Sequence, residues 1–285
     1  MKIKGLKLKE FIHRVDLKIG FSALERLLSK NWLNPFATVY LNLRSFPFVQ
    51  AIKMPVWVYG CPRFYELSGK MVVEGKVSSG MVRFNQVKPG APSNMSVNSE
   101  ILNKGLIIFH GFGQIDTGTK IVVGPKGILE IGKNFKIADM CNIGCFRNIT
   151  IGELSRIAHR CQVFDSNYHF IANFAKGIVP RQTKPIKIGN GCWICNSSTI
   201  TGNAVIPDYT IVASNSIVNK DMSDVPENSM IGGSPSKLIA TGFRRIENCK
   251  IEKDIAKFYN ESPNEIFKIP AEATMEEYSF VDKYK

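Results

Sequence analysis

Aliphatic residues recur at every sixth position in the C-terminal half of the chain, and small residues follow them at a fixed distance. The aliphatic positions are Ile188, Ile194, Ile200, Ile206, Val212 and Val218. Four residues after each of the first five stand Cys192, Ser198, Ala204, Thr210 and Ser216. An amphipathic helix repeats about every 3.6 residues and a strand about every two, so neither explains this period. The pattern predicts an all-β solenoid of short β segments joined by tight corners, three to a coil.

The same register extends upstream with one irregularity. Its earlier positions are Ile131, Ile137, Ile143, Ile151, Ile157 and Val163. A shift of two residues falls at Ile149-Thr150. Before residue 121 the pattern is weaker, but residues 54–85 are rich in Val, Met, Phe and Tyr and are punctuated by glycines. We therefore expect irregular early coils, and a solenoid domain over residues 54–240.

The period fails between Val163 and Ile186, and residues 165–185 are predicted to form an inserted loop. Loops that leave a rigid scaffold are where binding and catalytic residues usually lie. Residues 1–53 predict a helical cap, because Phe21, Leu24, Leu27 and Leu28 have helical spacing. Residues 241–285 predict a helical and extended tail.

The formal net charge of +13 is concentrated near the N-terminus, where residues 1–53 hold ten Lys/Arg against three Asp/Glu. This excess suits an anionic partner: a phosphorylated cofactor, a lipid-linked acceptor at the inner membrane surface, or nucleic acid. A merely solvated basic face explains it equally well. No nucleic-acid motif accompanies the charge, so we expect no nucleic-acid partner.

No apolar run reaches the roughly 18 to 20 residues that cross a bilayer, and no signal-peptide pattern follows the first lysines. These features predict a cytoplasmic protein, with peripheral attachment to the inner membrane surface through the basic N-terminus left open. Seven cysteines without a secretory signal predict reduced thiols. Cys192 and Cys195 have metal-like spacing, but no second pair accompanies them, so small apolar packing is the better interpretation.

Residues 185–240 resemble the hexapeptide-repeat (left-handed β-helix) acyltransferases, in particular the galactoside and maltose acetyltransferases and the capsule or O-antigen sugar O-acetyltransferases. The matching residues read PIKIGNGCWICNSSTITGNAVIPDYTIVASNSIVNKD, followed by GGSPSKLI. The resemblance implies a left-handed parallel β-helix with a helical N-terminal extension and a C-terminal tail. It also implies acetyl-coenzyme A as co-substrate, no required metal, and a homotrimer with active sites between neighbouring subunits.

A second match, IAHRCQVFDSNYHFI, resembles the family's Asp-x-(Asp/Asn)-x-His loop motif. It implies that His169 is the catalytic base and that Asp165 and Asn167 hold its ring and favour one tautomer. A positioned imidazole can take the proton of a hydroxyl as it attacks a thioester. His159 occupies an ordinary hexad position, which favours a structural role, and His110 has no assignable role. The histidine spacing does not resemble the related solenoid carbonic anhydrases, so a metal enzyme is a minor alternative.

Family members hold coenzyme A along the outside of the C-terminal coils. Carried over by position, the resemblance implies a cofactor-binding set of Trp193, Asn196, Ser214, Asn219, Lys220 and Lys237. Lys220 and Lys237 lie inside matched motifs and supply the cations that phosphates require. Two departures weaken the match: the segment between Asp221 and Pro235 is longer than in the galactoside enzymes, and Ala240 stands at a position that is basic in the family. Arg244 or Arg245 could compensate.

The sequence thus predicts an O-acetyltransferase of polysaccharide biosynthesis that uses acetyl-coenzyme A. It would act on a hydroxyl of a sugar or a lipid-linked acceptor, by direct transfer with His169 as general base. An N-acyltransferase acting on an amino sugar and a non-catalytic β-helix interaction protein remain alternatives. Serine acetyltransferase is disfavoured, because its helical N-terminal domain is much longer than the segment present here.

Overall fold

The computed structural model describes Leu24, residues 31–87 and residues 97–279 of the chain. Within these residues, short strands make up most of the regular secondary structure, and helices stand at either end. The strands are β1 (Val56–Val58), β2 (Arg63–Leu67), β3 (Lys70–Val73), β4 (Val82–Gln86), β5 (Glu100–Asn103), β6 (Leu106–Phe109), β7 (Gly113–Asp116), β8 (Lys120–Val123), β9 (Ile128–Ile131), β10 (Phe135–Ile137), β11 (Asn142–Cys145), β12 (Asn148–Ile151), β13 (Arg156–Ile157), β14 (Gln162–Phe164), β15 (Ile186–Ile188), β16 (Trp193–Ile194), β17 (Thr199–Thr201), β18 (Val205–Ile206), β19 (Ile211–Val212), β20 (Ile217–Val218), β21 (Ser229–Gly233) and β22 (Ser236–Thr241). The helices are α1 (Pro35–Ser45), α2 (Phe48–Ala51), α3 (Cys249–Glu261) and α4 (Met275–Ser279).

Three parallel sheets form the three sides of a prism, because successive strands join successive sheets. Face 1 contains β1, β4, β7, β10, β13, β16, β19 and β21, with β22 added antiparallel at its end. Face 2 contains β2, β5, β8, β11, β14, β17 and β20. Face 3 contains β3, β6, β9, β12, β15 and β18. The predicted β-solenoid is therefore confirmed as a parallel β-helix with three strands in each coil.

The hexad positions form the interior of this prism. On face 2, for example, Val163 pairs with Ile200 and Ile200 with Val218, and each is 0% exposed. Each buried aliphatic side chain contributes about 1.5–3 kcal/mol relative to an exposed one. Every sixth residue therefore packs on its counterpart one coil away, which explains the period that the sequence shows.

The shift at Ile149-Thr150 is a change in coil length. Ile131 pairs with Ile151, twenty positions on, whereas Ile188 pairs with Ile206, eighteen positions on. Both Ile149 and Ile151 of strand β12 point inward, where they are at most 1% exposed, and they pair with Leu129 and Ile131 of β9.

The small residues of the hexads tie neighbouring coils together at the corners. Ser198 Oγ donates a hydrogen bond to the carbonyl oxygen of Ala213 at 2.9 Å. Cys192 does the same with its thiol, which lies 3.1 Å from the carbonyl oxygen of Pro207. Burial raises the pKa of the Cys192 thiol to about 12, so it stays protonated and able to donate. A small donor satisfies a buried carbonyl there without displacing the next coil.

Helix α1 closes the N-terminal end of the described solenoid. Asn34 caps it by accepting a hydrogen bond from the backbone N–H of Ala37 at 3.0 Å, and Pro35 follows at the first helical position. Buried Asn42 links the helix to β1, because its side chain bonds both the N–H and the carbonyl oxygen of Val56.

Most of the predicted helical cap lies outside the described residues, including Phe21, Leu27 and Leu28; Leu24 is described and is about half exposed. The domain boundaries at residues 53 and 240 stay predictions. In the described ranges, no helix is long and apolar enough to span a membrane.

Candidate active site

The long break in the hexads is a loop that leaves the solenoid at the corner between faces 2 and 3. It connects β14 with β15, and residues 167–181 are all exposed. His169 lies on this loop, and among the described residues none makes a hydrogen bond or ion pair with its side chain. The imidazole is therefore free to meet a substrate or another subunit.

Asp165 anchors the beginning of this loop. Its side chain is 0% exposed, and its carboxylate accepts hydrogen bonds from the backbone N–H groups of Phe146, Arg147 and Asn148 at 2.7, 2.7 and 2.9 Å. Burial raises the pKa of the carboxyl group, and these three donors partly offset that rise. Within the described residues, Asp165 makes no hydrogen bond to His169. Its carboxylate holds the start of the loop through the three backbone N–H groups and not through the imidazole ring.

Tyr168 directs the chain outward just before His169. It has a positive φ of 60°, an uncommon conformation for a residue with a large side chain. Its ring packs edge-on against Phe146 and Phe164, with centroids 5.0 and 6.0 Å away. A side chain at Gly144 would overlap the Phe164 ring, so glycine is required beneath this cluster. No sequence motif singles out Tyr168, although aromatic residues flank the break in the hexads.

Asn167 lies beside a small cavity at the base of the loop. The cavity has a volume of about 150 Å³, and Arg181 and Lys184 contribute positive charge to its lining. Backbone N–H of Asn167 donates to the carbonyl oxygen of Gln182 at 3.2 Å, which closes the loop across its neck. Asn167 is thus held next to a polar recess, two residues from His169.

Two of the predicted cofactor residues share the corner from which this loop emerges. Asn219 and Lys220 follow β20, so they stand at the corner between faces 2 and 3, two coils beyond the loop. Both are exposed. The structure therefore places Lys220 on the same edge of the prism as His169.

The other predicted cofactor residues lie on a different side. Trp193 points outward from face 1, opposite the corner that carries the loop. Asn196 and Ser214 occupy equivalent positions between faces 1 and 2, and Ser214 Oγ donates to Asn196 Oδ1 at 2.8 Å. Lys237 lies on β22 at the end of face 1 and is exposed. Within one chain, His169 and Trp193 therefore lie on different sides of the solenoid.

His159 occupies the same corner position as Asn196, one coil earlier. Backbone N–H of Ser197 donates to the carbonyl oxygen of His159 at 3.1 Å, and the side chain is half-buried. His110 lies at the end of β6 with Nε2 2.7 Å from Glu130 Oε1 and Nδ1 3.7 Å from Glu74 Oε2. In the described part of the chain, no group of three or more His, Cys, Asp or Glu residues is placed to hold a metal ion.

The C-terminal segment covers the Trp193 side through contacts that the sequence did not reveal. The Arg245 guanidinium lies 4.8 Å from the centroid of the Trp193 ring, and that of Arg244 lies 3.5 Å from the centroid of the Tyr209 ring. Glu247 forms ion pairs with Arg245 and with Arg156, the latter at 2.9 Å. Because the partners lie up to 91 residues apart in sequence, no local pattern predicts them.

No family model matches the sequence. A curated protein of Escherichia coli (strain K12), the putative lipopolysaccharide biosynthesis O-acetyl transferase WbbJ, is 25% identical over 147 residues, which cover 49% of this chain and 74% of that protein. Among solved structures, the polySia-specific acetyltransferase NeuO is 18% identical. The match covers 76% of this chain and 91% of that one, with a TM-score of 0.34.

A hexapeptide-repeat acetyltransferase of Vibrio cholerae O1 biovar eltor, solved with acetyl-coenzyme A, is 25% identical. The match covers 39% of this chain and 59% of that one, with a TM-score of 0.34. These TM-scores are too low to support the fold assignment, which is based instead on the three-strand coils of this structure. The hexad register and the three-strand coils show a parallel β-helix, and in sequence about half of the chain is similar to the O-acetyl transferase WbbJ.

Proposed function

We propose that this protein is an O-acetyltransferase that moves an acetyl group from acetyl-coenzyme A to a hydroxyl of a sugar or polysaccharide precursor. The observation that carries the proposal is the exposed His169, held on an anchored loop at the same corner as Lys220. The similarity to an O-acetyl transferase of lipopolysaccharide biosynthesis supports the same reaction class.

The complete site requires at least two copies of the chain. His169 leaves the prism at the corner between faces 2 and 3, whereas Trp193 lies on face 1, on the other side of the solenoid. If the loop of one subunit extends against face 1 of its neighbour, the two halves meet. This division supports the homotrimer that the family resemblance implies, since a closed ring gives every loop one partner face.

The residues of the two halves suit different parts of the reaction. His169 accepts the proton of the acceptor hydroxyl as the oxygen attacks the thioester carbonyl, and coenzyme A leaves as a thiol after the acetyl carbon–sulfur bond breaks. Asp165 and Tyr168 fix the start of the loop that carries the base. Asn167 faces the cavity beside it, where a polar acceptor group can be held.

The proposed coenzyme A wall consists of Trp193, Asn196, Ser214, Asn219, Lys220 and Lys237. Lys220 and Lys237 are exposed, and neither forms an ion pair with another described residue, so both can meet phosphate oxygens. Asn196 already accepts a hydrogen bond from Ser214, which leaves its amide N–H groups available as donors.

The test is a thiol-release assay with acetyl-coenzyme A and a panel of neutral sugars, amino sugars, nucleotide sugars and lipid-linked oligosaccharides. We expect release that depends on a hydroxyl acceptor and is lost in His169→Ala. Release only with amino sugars would instead establish N-acyl transfer. Failure of coenzyme A thioesters to raise the melting temperature, together with no release, would favour a non-catalytic interaction protein.

Equilibrium sedimentation tests the homotrimer separately. A mass of three chains is expected, and a monomer that retains full activity would contradict the shared site. Lipid-linked acceptors in the assay also test attachment at a membrane surface, since the basic residues of 1–53 would then raise activity on anionic vesicles.

A further inference from the structure

A row of outward-facing side chains runs along face 1, one from each successive strand. The register pairs each residue with the next across neighbouring strands. In order, the row consists of Trp57, Arg83, Gln114, Lys136, Arg156 and Trp193. We call these six residues the face 1 row. Because neighbouring strands lie about 4.8 Å apart, the row spans about 24 Å from Trp57 to Trp193.

A cavity of about 410 Å³ opens over the first five residues of this row. Aromatic rings form part of its wall, and glycines on adjacent strands leave room for them. A side chain at Gly80 would overlap the Trp57 ring, and one at Gly113 would overlap the Phe135 ring. The indole of Trp57 is held in place because its Nε1 donates to Ser79 Oγ at 3.1 Å. The cavity thus has a preformed aromatic surface.

Positive charge follows the aromatic end of the row. Arg83 is exposed and has no hydrogen-bond or ion-pair partner among the described residues. Lys136 is half-buried, and its Nζ lies 3.2 Å from Oδ2 of the buried Asp116. Arg156 is also half-buried and pairs with Glu247, the one acidic residue among the described residues that line the cavity. Arg83 is therefore the cation of the row that is left unpaired within the described residues.

We propose that the cavity over the face 1 row binds an acidic polysaccharide, with a sugar ring against Trp57 and a carboxylate at Arg83. Aromatic walls with a few fixed polar groups are typical of carbohydrate-sized ligand sites. Guanidinium groups pair with carboxylates in a bidentate way, and Arg83 supplies an unpaired guanidinium on the strand next to the Trp57 ring.

This inference deepens the proposed function. The cavity lies on the same face as Trp193 of the proposed coenzyme A wall, and Arg245 and Glu247 of the C-terminal segment lie against Trp193 and Arg156. A polymer that extends from the cavity past this segment would present one of its hydroxyls to the neighbour's His169. The acceptor of the transfer would then be an acidic glycan rather than a neutral sugar.

Calorimetry without acetyl-coenzyme A tests the row independently of catalysis. The probes are an oligomer of hexuronic acid, a neutral oligomer of glucose of equal length, and a hexose 1-phosphate. We expect the acidic oligomer to bind most tightly, with an affinity that falls as salt rises. Arg83→Gln should weaken it about tenfold, the scale of one hydrogen-bonded charge pair. Arg160→Gln is the matched control, because Arg160 is exposed at a corner away from the row.

Equal affinity of wild type and Arg83→Gln for the acidic oligomer would overturn the proposal, as would equal affinity for the neutral oligomer. Binding of the hexose 1-phosphate alone would also overturn it and point to a phosphate site. His169→Ala should bind the acidic oligomer normally. Arg83-dependent binding without thiol release would support the glycan site and contradict the transferase proposal. Thiol release without such binding would support the transferase proposal and contradict the glycan site.

Discussion

Face 1 and the loop over residues 165–185 differ in what holds their side chains in place. On face 1, Trp193 is fixed by the pairing of its strand with β13 and β19 and by Arg245 from the C-terminal segment. On the loop, His169 is exposed and makes none of the hydrogen bonds of the described residues. Only the loop's ends are secured, through Asp165 at its start and the backbone bond from Asn167 to Gln182.

This difference separates two properties that a transferase needs. A long nucleotide-bearing co-substrate is best held by a surface whose spacing is set by strand register, because each contact is then preorganised. A base that must enter a neighbouring subunit's site requires reach, which an exposed loop provides. The four predictions that follow test whether stability belongs to the coils and chemistry to the loop.

The largest effect is expected in the coils. Ile200→Asp places a charge without a partner at a position that is 0% exposed, and should destabilise the fold by more than about 4 kcal/mol or prevent folding. Thr199→Asp is the control, because Thr199 points outward from the same strand. Thermal unfolding followed by circular dichroism measures both. Equal melting temperatures would contradict the stacked interior.

His169→Ala should lower the turnover number about a hundredfold, the usual scale for a missing general base. Its melting temperature should not change, since the side chain is exposed and makes no hydrogen bond or ion pair with the described residues. Lys176→Ala, an exposed change on the same loop, should leave both quantities unaltered. If His169→Ala transfers acetyl at a near wild-type rate, His159, which lies on the corner beside Asn196, is the base to test next.

Asp165→Asn tests the junction between the coils and the loop. The carboxylate accepts three backbone hydrogen bonds, and an amide presents a donor to one or more of those N–H groups. We expect a loss of about 2 kcal/mol in the free energy of unfolding in urea, with a smaller fall in turnover than for His169→Ala. Asp224→Asn is an exposed control. Unchanged stability with a hundredfold loss of turnover would show instead that Asp165 orients the imidazole.

The smallest effects are expected at the exposed lysines. Lys220→Ala and Lys237→Ala should each raise the Michaelis constant for acetyl-coenzyme A about fivefold, the scale of one exposed ion pair, and leave the turnover number nearly unchanged. A phosphate contact far from the thioester binds the ground state and the transition state about equally. Lys187→Ala on the outside of face 3 is the control. An unchanged Michaelis constant in both variants would place coenzyme A elsewhere.

The sequence by itself determined the coils and the position of the loop. Because the interior of the solenoid repeats in every coil, aliphatic residues must recur at regular spacing in the sequence. Ile188, Ile194 and Ile200 show this spacing, so short stretches of sequence are enough to predict the coils. The break after Val163 revealed the loop for the same reason. The early coils were harder to define, since their hexads are irregular and strands β2 and β4 contain register shifts.

Only the tertiary structure decided which residues share a surface. The sequence placed Asp165 beside His169, but the fold directs its carboxylate to the N–H groups that follow β11. It also aligned Trp57 with Trp193, which are far apart in the chain, and brought Glu247 to Arg156. Coil lengths vary along the solenoid: paired residues are eighteen positions apart between β15 and β18, twenty between β9 and β12, and twenty-two between β8 and β11. The length of each coil decides which outward-facing residues stand next to each other on neighbouring strands. The hexad pattern specifies which residues point inward, but it does not specify the coil lengths.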